Sequence, residues 1–231
     1  MNASRTARER VRAEMIKEIT DVARKHLATE GAAGLSLRAI ARELGMVSSA
    51  IYRYFAGRDE LLTALIIEGY NAIGEVVEEA GARARQDDYA GRWLAVCRAV
   101  RQWALANPHE YALLYGSPVP GYKAPPDTVT PALRDTVVYG RILTDAYEND
   151  ALTPPDLGLS APTELSGDME RVRELMPRLP DDLVARAVLA WAALFGIVSF
   201  EVFGRFDNTI YERDALFDHN VRSLARLLGL P

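Results

Sequence analysis

The stretch Gly34–Leu62, GLSLRAIARELGMVSSAIYRYFAGRDELL, decides how the remainder of this 231-residue chain is read. Ser36 can accept a hydrogen bond from the first turn of a helix, and Leu37, Ile40, Ala41 and Leu44 then recur at the spacing of one buried face. Gly45 closes that short helix. After the turn Gly45-Met46-Val47, Ser48 or Ser49 can start a second short helix in which Ile51, Tyr52 and Phe55 recur, with Gly57 at its end. Asp59 and Glu60 fall in the first turn of a longer helix, where carboxylates meet the positive end of the dipole. Its apolar stripe runs through Leu61, Leu62, Leu65, Ile66, Tyr70, Ile73 and Val77 to about Ala80.

Upstream, Arg8 to Glu30 places Ile16, Ile19, Val22, Ala23 and Leu27 on one face, and Gly31 is a natural stop. Two short helices joined by a tight glycine turn, behind a longer first helix, form the helix-turn-helix unit that lays its second helix in a major groove. Eight residues give a reader only about 12 Å long, which is enough for one or two turns against base edges. Charge agrees. Met1 to Glu60 carries 11 basic against 8 acidic residues, +3, whereas the rest carries 16 against 24, −8, so only the first segment suits phosphates.

This segment resembles the DNA-binding domain of the TetR family of transcriptional regulators. The shared features are the glycine turn, the aromatic cluster Tyr52, Tyr54 and Phe55, and a basic residue before an acidic-Leu-Leu helix start. The resemblance covers about Arg8 to Leu65. It implies phosphate contacts from Ser36, Arg38, Tyr54 and Arg58, groups whose hydroxyls and guanidinium nitrogens suit phosphate oxygens. It implies base-facing positions for Ser48, Ser49, Ala50, Tyr52 and Arg53; Arg53 could take guanine bidentately and Ala50 could meet a thymine methyl. The sequence departs from the common pattern at Val47, where a polar residue usually starts the helix. Valine caps poorly, so Ser48 can take that role instead.

The remaining sequence is helical by pattern. Helices are expected from Asp88 through Trp93 to Asn107, from Pro108 to Tyr115, from Leu133 to Asn149, from Asp181 to about Phe206, and from Ala215 to Leu228, closed by Gly229. Gly116–Pro126 and Thr153–Gly167 read as loops. The expected fold is all-α, with a three-helix domain over residues 1–60 and a larger helical domain over 61–231.

Ala187–Phe200 is nearly pure apolar, too short to span a bilayer and without a polar face for water, so it is expected to be buried. Its small residues allow close approach of a second copy, and pairing through the last two helices would present two reading heads to a pseudo-palindromic operator. The stretch AWAALFGIVSFEVFG weakly resembles the Trp-His-Gly motif of one TetR subgroup, with Phe195 where the histidine would stand. Trp93, Trp103, Tyr111, Tyr115, Tyr139, Tyr147, Trp191 and Phe195, with Cys97 among them, form a largely aromatic group. They suit a cavity for an apolar or aromatic small molecule, or a plain core. The resemblance implies a repressor released from its operator when such an effector binds.

Other classes find little support. His26, His109 and His219 lack metal or catalytic spacing, and the lone Cys97 lacks a nucleophile signature and points to a reducing compartment. Asp87-Asp88 and Asp181-Asp182 read as helix starts rather than metal ligands. No cofactor, metal or enzymatic activity is expected. The absence of an apolar leader points to the cytoplasm. A helical small-molecule carrier that never meets DNA, and further off an all-α enzyme, stay open at this stage.

Overall fold

A computed structural model describes the backbone of residues 3–231 and the side chains from Ala7 onward. In chain order the helices are α1 (Ala3–Gly34), α2 (Leu37–Glu43), α3 (Arg58–Arg83), α4 (Tyr89–Ala106), α5 (Pro108–Tyr115), α6 (Val129–Ala132), α7 (Arg134–Glu148), α8 (Ser166–Arg173), α9 (Asp181–Val202) and α10 (Arg213–Leu228), and no strand occurs among the described residues. The chain forms two compact units. One comprises residues 1–70 and 107–129, the other residues 71–106 and 130–231, so α3 contributes its first half to one and its second half to the other.

In the first unit, Gly31 breaks α1 with φ 69° and ψ 176°, as its position in the sequence predicts. Ser36 caps α2, its Oγ accepting from the Ala39 N–H at 3.4 Å. At the other end Gly45 takes φ 66°, and the Met46 N–H reaches back to the Ala41 carbonyl at 2.8 Å, the six-to-one bond that closes a helix. Ile19, Val22, Ala23 and Leu27 of α1, Leu37, Ile40 and Ala41 of α2, and Leu61, Leu62 and Leu65 of α3 meet Ile51 and Phe55 in one buried cluster.

The second reading helix differs from expectation. Residues 48–50 form a turn and only Ile51–Arg53 are helical, in the tight 3₁₀ form. The bonds from Ala50 to Val47, Arg53 to Ala50 and Tyr54 to Ile51 all span three residues, and only Phe55 to Ile51 spans four. The start has no side-chain cap. Valine at position 47 offers none, and a short segment without a cap tightens rather than winding as α-helix.

In the second unit α9 packs on α10, α4 and α8, and α4 packs on α7 and α10. Trp93 is buried and its indole N–H donates to the Val221 carbonyl at 2.9 Å, tying α4 to α10. Arg101 makes a bidentate pair with the buried Glu201 of α9 at 2.7 Å for each bond, reaches Asp214 at 2.7 Å, and lies 4.9 Å from the Phe217 ring centre. Arg98 pairs with Asp218 in the same fork geometry.

Three further expectations change. The expected loop 153–167 is irregular only to residue 162; a 3₁₀ turn at Thr163–Leu165 leads into α8, whose first turn holds Asp168 and whose Met169 is buried. The polar composition of that helix hides its single apolar anchor. Helix α9 is not buried all round: Leu183, Val184, Ala187, Ala190, Leu194 and Val198 face inward, while Val188, Leu189, Trp191 and Phe200 stay exposed. By length and composition, α9 is also the one described helix that could cross a bilayer, though it packs on α10, α4 and α8. It stops at Val202 rather than Phe206, because Gly204 turns the chain with φ 70°.

Removing one half of a buried ion pair leaves the other half uncompensated. Arg101→Leu should therefore destabilise the protein by about 3–5 kcal/mol, and adding Glu201→Leu should restore most of that loss, as read by denaturant unfolding of the three variants.

Candidate nucleic-acid interface

The tight turn after α2 has two faces. Ile51 and Phe55 point inward and are buried, which fixes the turn on the cluster formed by α1, α2 and α3. Outward lie Val47, Ser48, Ser49, Tyr52 and Arg53, all exposed, with Ala50 half-buried beside them. Val47 is 74% exposed and Tyr52 44%, high values for an apolar and an aromatic side chain.

Helix α1 holds this turn from the side. Arg12 donates from Nη1 to the Arg53 carbonyl at 2.8 Å, and its guanidinium lies 5.4 Å from the Tyr54 ring centre, within cation–π range. Arg8, Val11, Arg12, Arg53 and Tyr54 line a shallow groove of about 390 Å³ beside it. Three guanidinium groups on one groove make a positive surface suited to phosphate oxygens.

The residues assigned from sequence thus separate into kinds. Ser48, Ser49, Tyr52 and Arg53 share one outer face, and Arg38 is exposed at the start of α2. Ser36 is engaged as a cap, and Tyr54 as the platform under Arg12. Arg58 is half-buried and donates from Nη2 to the Ala32 carbonyl at 2.7 Å, across the broken end of α1. That bond gives Arg58 a structural task that its sequence context did not reveal. Sequence reasoning passed over Arg12 and took Val47 only as a poor helix cap. The four-residue spacing of Arg8 and Arg12 places both on one face of α1 and was the available signal for the first. An exposed valine in a turn has no such signature.

Among the aromatic candidates, Trp93 of α4 and Tyr139 of α7 are buried with ring centres 5.6 Å apart, and Cys97 and Trp103 are buried on α4. Burial pushes the Cys97 thiol well above its ordinary range, which makes it unreactive at neutral pH. In the first unit Tyr111 and Tyr115 stack at 4.9 Å, with Tyr70 edge-on to Tyr115 at 6.0 Å. On α9, Trp191 and Phe195 lie 5.4 Å apart, but Phe195 is buried and Trp191 exposed, and Tyr147 of α7 is exposed as well.

Arg92, Asp135, Thr144 and Glu201 are the polar residues buried in the second unit. Asp135, at the start of α7, is 3% exposed; its Oδ1 accepts from the Thr136 N–H and hydroxyl, while Oδ2 is buried without a partner. Burial pushes the carboxyl up to about 6, against the opposing effect of the Thr136 bonds.

A helix-turn-helix with a basic, protruding turn, joined to a separate helical unit, defines a DNA-binding regulator. Comparison with known proteins agrees. The sequence matches the family of bacterial regulatory proteins designated tetR over residues 19–65, and the tetracyclin repressor-like C-terminal domain over residues 93–224. It is 41% identical over 238 residues to HTH-type transcriptional regulators of Mycobacterium tuberculosis and Mycobacterium bovis, covering 97% of this chain and 95% of each relative. The crystal structure of a regulatory protein, SCO4313, superposes with a TM-score of 0.76 at 34% identity, covering 94% of this chain and 97% of the other. A Rhodococcus protein of unknown function gives 0.71 at 25% identity, covering 93% and 95%. The chain belongs to the TetR family and is a DNA-binding transcriptional regulator.

Arg12→Ala should leave the melting temperature within about 2 °C of wild type and weaken DNA binding about tenfold, because an exposed arginine contributes little to folding while here it positions the turn; thermal unfolding and equilibrium binding measure the two effects. For Asp135 the native state holds its proton at higher pH than the unfolded chain, whose carboxyl titrates near its ordinary value of about 3.9. The associated stability is full below that value and is lost as pH rises through about 6. Denaturant unfolding from pH 4 to 8 should show this loss in wild type and a flatter profile in Asp135→Asn.

Proposed function

We propose that this regulator is a repressor that binds a pseudo-palindromic operator as a homodimer and leaves it when a small molecule occupies its second helical unit. The observation that carries the DNA assignment is the two-faced turn: locked inward by Ile51 and Phe55, it presents Ser48, Ser49, Tyr52 and Arg53 to solvent on a rigid edge. These residues, with Ala50, read base edges in the major groove. Ser36, Arg38, Tyr54 and Arg58 set register on phosphates, with Arg12 added as the residue that positions Arg53 and Tyr54.

Pairing is assigned to α9 and α10. The outer face of α9 carries Val188, Ala192, Gly196 and Phe200 at four-residue spacing, flanked by exposed Leu189 and Trp191. A side-chain carbon added at Gly196 would meet nothing within 4 Å, so a partner helix has room to approach. Such a stripe is costly to leave in water and suits an isologous dimer. Trp191 belongs to this pairing face in our reading. Trp93, Cys97, Trp103, Tyr139 and Phe195 form the apolar surroundings of the effector within the second unit, whereas Tyr111 and Tyr115 of α5 belong to the first.

Helix α3 is shared by both units and so supplies a continuous element through which effector binding can reach the turn. A coupling of about 1–3 kcal/mol, or roughly 5- to 150-fold in operator affinity, is what such release requires. The protein is assigned to the cytoplasm, where its operator would be.

Selection of bound duplexes from a random pool tests the reading. It should return one half-site twice in inverted orientation, with affinity that falls steeply with salt. Arg53→Ala should cost about 1–3 kcal/mol and relax preference at one position, whereas Arg38→Ala should weaken all sequences alike. Recovery of single, unpaired half-sites would count against the dimer, and absence of enrichment would favour a helical carrier.

A further inference from the structure

A buried carboxylate oxygen without a partner requires an explanation, since nearly all such atoms in folded proteins are paired. Asp135 Oδ2 has none, and no arginine, lysine or histidine among the described residues pairs with this side chain. The adjacent Arg134 is committed elsewhere, to Glu78 and Asn71. The Thr136 N–H and hydroxyl occupy Oδ1 alone. Oδ1 is thus held in place, while Oδ2 is buried and bonded to nothing.

An aromatic pair lies along the same helix face. Tyr139 lies one helical turn beyond Asp135 on the buried face of α7, where residues four apart stand about 5–6 Å from each other at Cβ. The Tyr139 ring in turn faces Trp93 of α4 at 5.6 Å. A carboxylate beside aromatic rings in an apolar interior is the constellation that receives a protonated amine: the carboxylate supplies charge and an acceptor, the rings supply quadrupole attraction and apolar area. A neutral or anionic aromatic molecule would bury the same area and leave the charge uncompensated, or add to it.

We infer that Asp135, with Tyr139 and Trp93, forms a recognition point for the ammonium group of an aryl-alkyl amine, which is the chemical class of the effector. The inference rests on the effector reading given above. It also accounts for a buried carboxyl with an unpartnered oxygen at this position. Asn at 135 keeps the acceptor for Thr136 and removes the charge, so it should raise stability if the carboxylate serves binding, and lower it if the carboxylate serves the fold.

The test uses the full chain at pH 7.5 and three probes of matched size: 2-phenylethylamine, 2-phenylethanol and phenylacetate. Calorimetric titration should give the amine at least tenfold tighter binding than the alcohol, with the acid weakest. Asp135→Asn should remove the amine's advantage and, without ligand, raise the melting temperature by about 3 °C. A melting temperature lowered by Asp135→Asn would overturn the proposal. So would an amine that binds no better than the alcohol in wild type, including the case in which none of the three binds. Operator affinity is measured in parallel with the amine present. An amine preference that depends on Asp135 but leaves operator affinity unchanged would keep the site and remove its regulatory role.

Discussion

A seven-residue helix and a three-residue 3₁₀ turn have no standing stability in water, since nucleation costs more than so few bonds return. What gives them a fixed shape is the insertion of Ile51 and Phe55 between α1, α2 and α3. Everything the DNA-facing edge does depends on that burial. With two apolar side chains anchored inward, the alternate positions 48, 49, 52 and 53 have no choice but to face outward. Arg12 then restrains the same turn through its backbone, so the carbonyl of Arg53 is held while its side chain stays available.

The second unit is organised by a different economy. Its helices are cross-linked by charged groups, the mostly buried Arg101 to Glu201 and the more exposed Arg98 to Asp218, which join α4 to α9 and α10. Such pairs specify register rather than adding much net stability, because desolvation offsets most of their attraction. Apolar surface is instead left over on α9, where Val188, Leu189 and Phe200 face away from the core of this chain. A helix that gives one face to its own chain and keeps another apolar is intermediate between a core element and an interface.

The all-helical architecture was legible because the apolar periodicity is strong, and the boundaries of α4, α5, α7 and α10 fall within two residues of those the pattern predicts from glycine and proline punctuation. The helix-turn-helix was legible from its turn residues. Less legible was the geometry of its second element, since the sequence pattern of apolar positions is the same for a 3₁₀ turn and a short α-helix, and only the bond lengths of three or four residues separate them. Helix α8 was hidden because it has a single buried anchor, Met169, and no stripe. Arg58 shows the limit of a residue-by-residue assignment: its type suits phosphate, but the Ala32 carbonyl, 26 positions earlier, already takes one of its donors. Asp135 was invisible for the opposite reason, since an aspartate at a helix start looks like an ordinary dipole partner until burial is known.

The segment after α7 looks, by composition, like a loose tether, yet its beginning is clamped. The Thr153 N–H donates to the Gly229 carbonyl at 2.8 Å, Arg186 donates to the Pro155 carbonyl, and a side-chain carbon at Gly229 would fall 2.3 Å from the Pro154 nitrogen. Residues 153–155 and the glycine that ends α10 therefore occupy a shared, saturated space. Beyond them the chain is open, with Leu159 76% exposed. Evolutionary tolerance should divide at that point: length variation can accumulate after Asp156, whereas a single added atom at position 229 forces the crossing strands of chain apart.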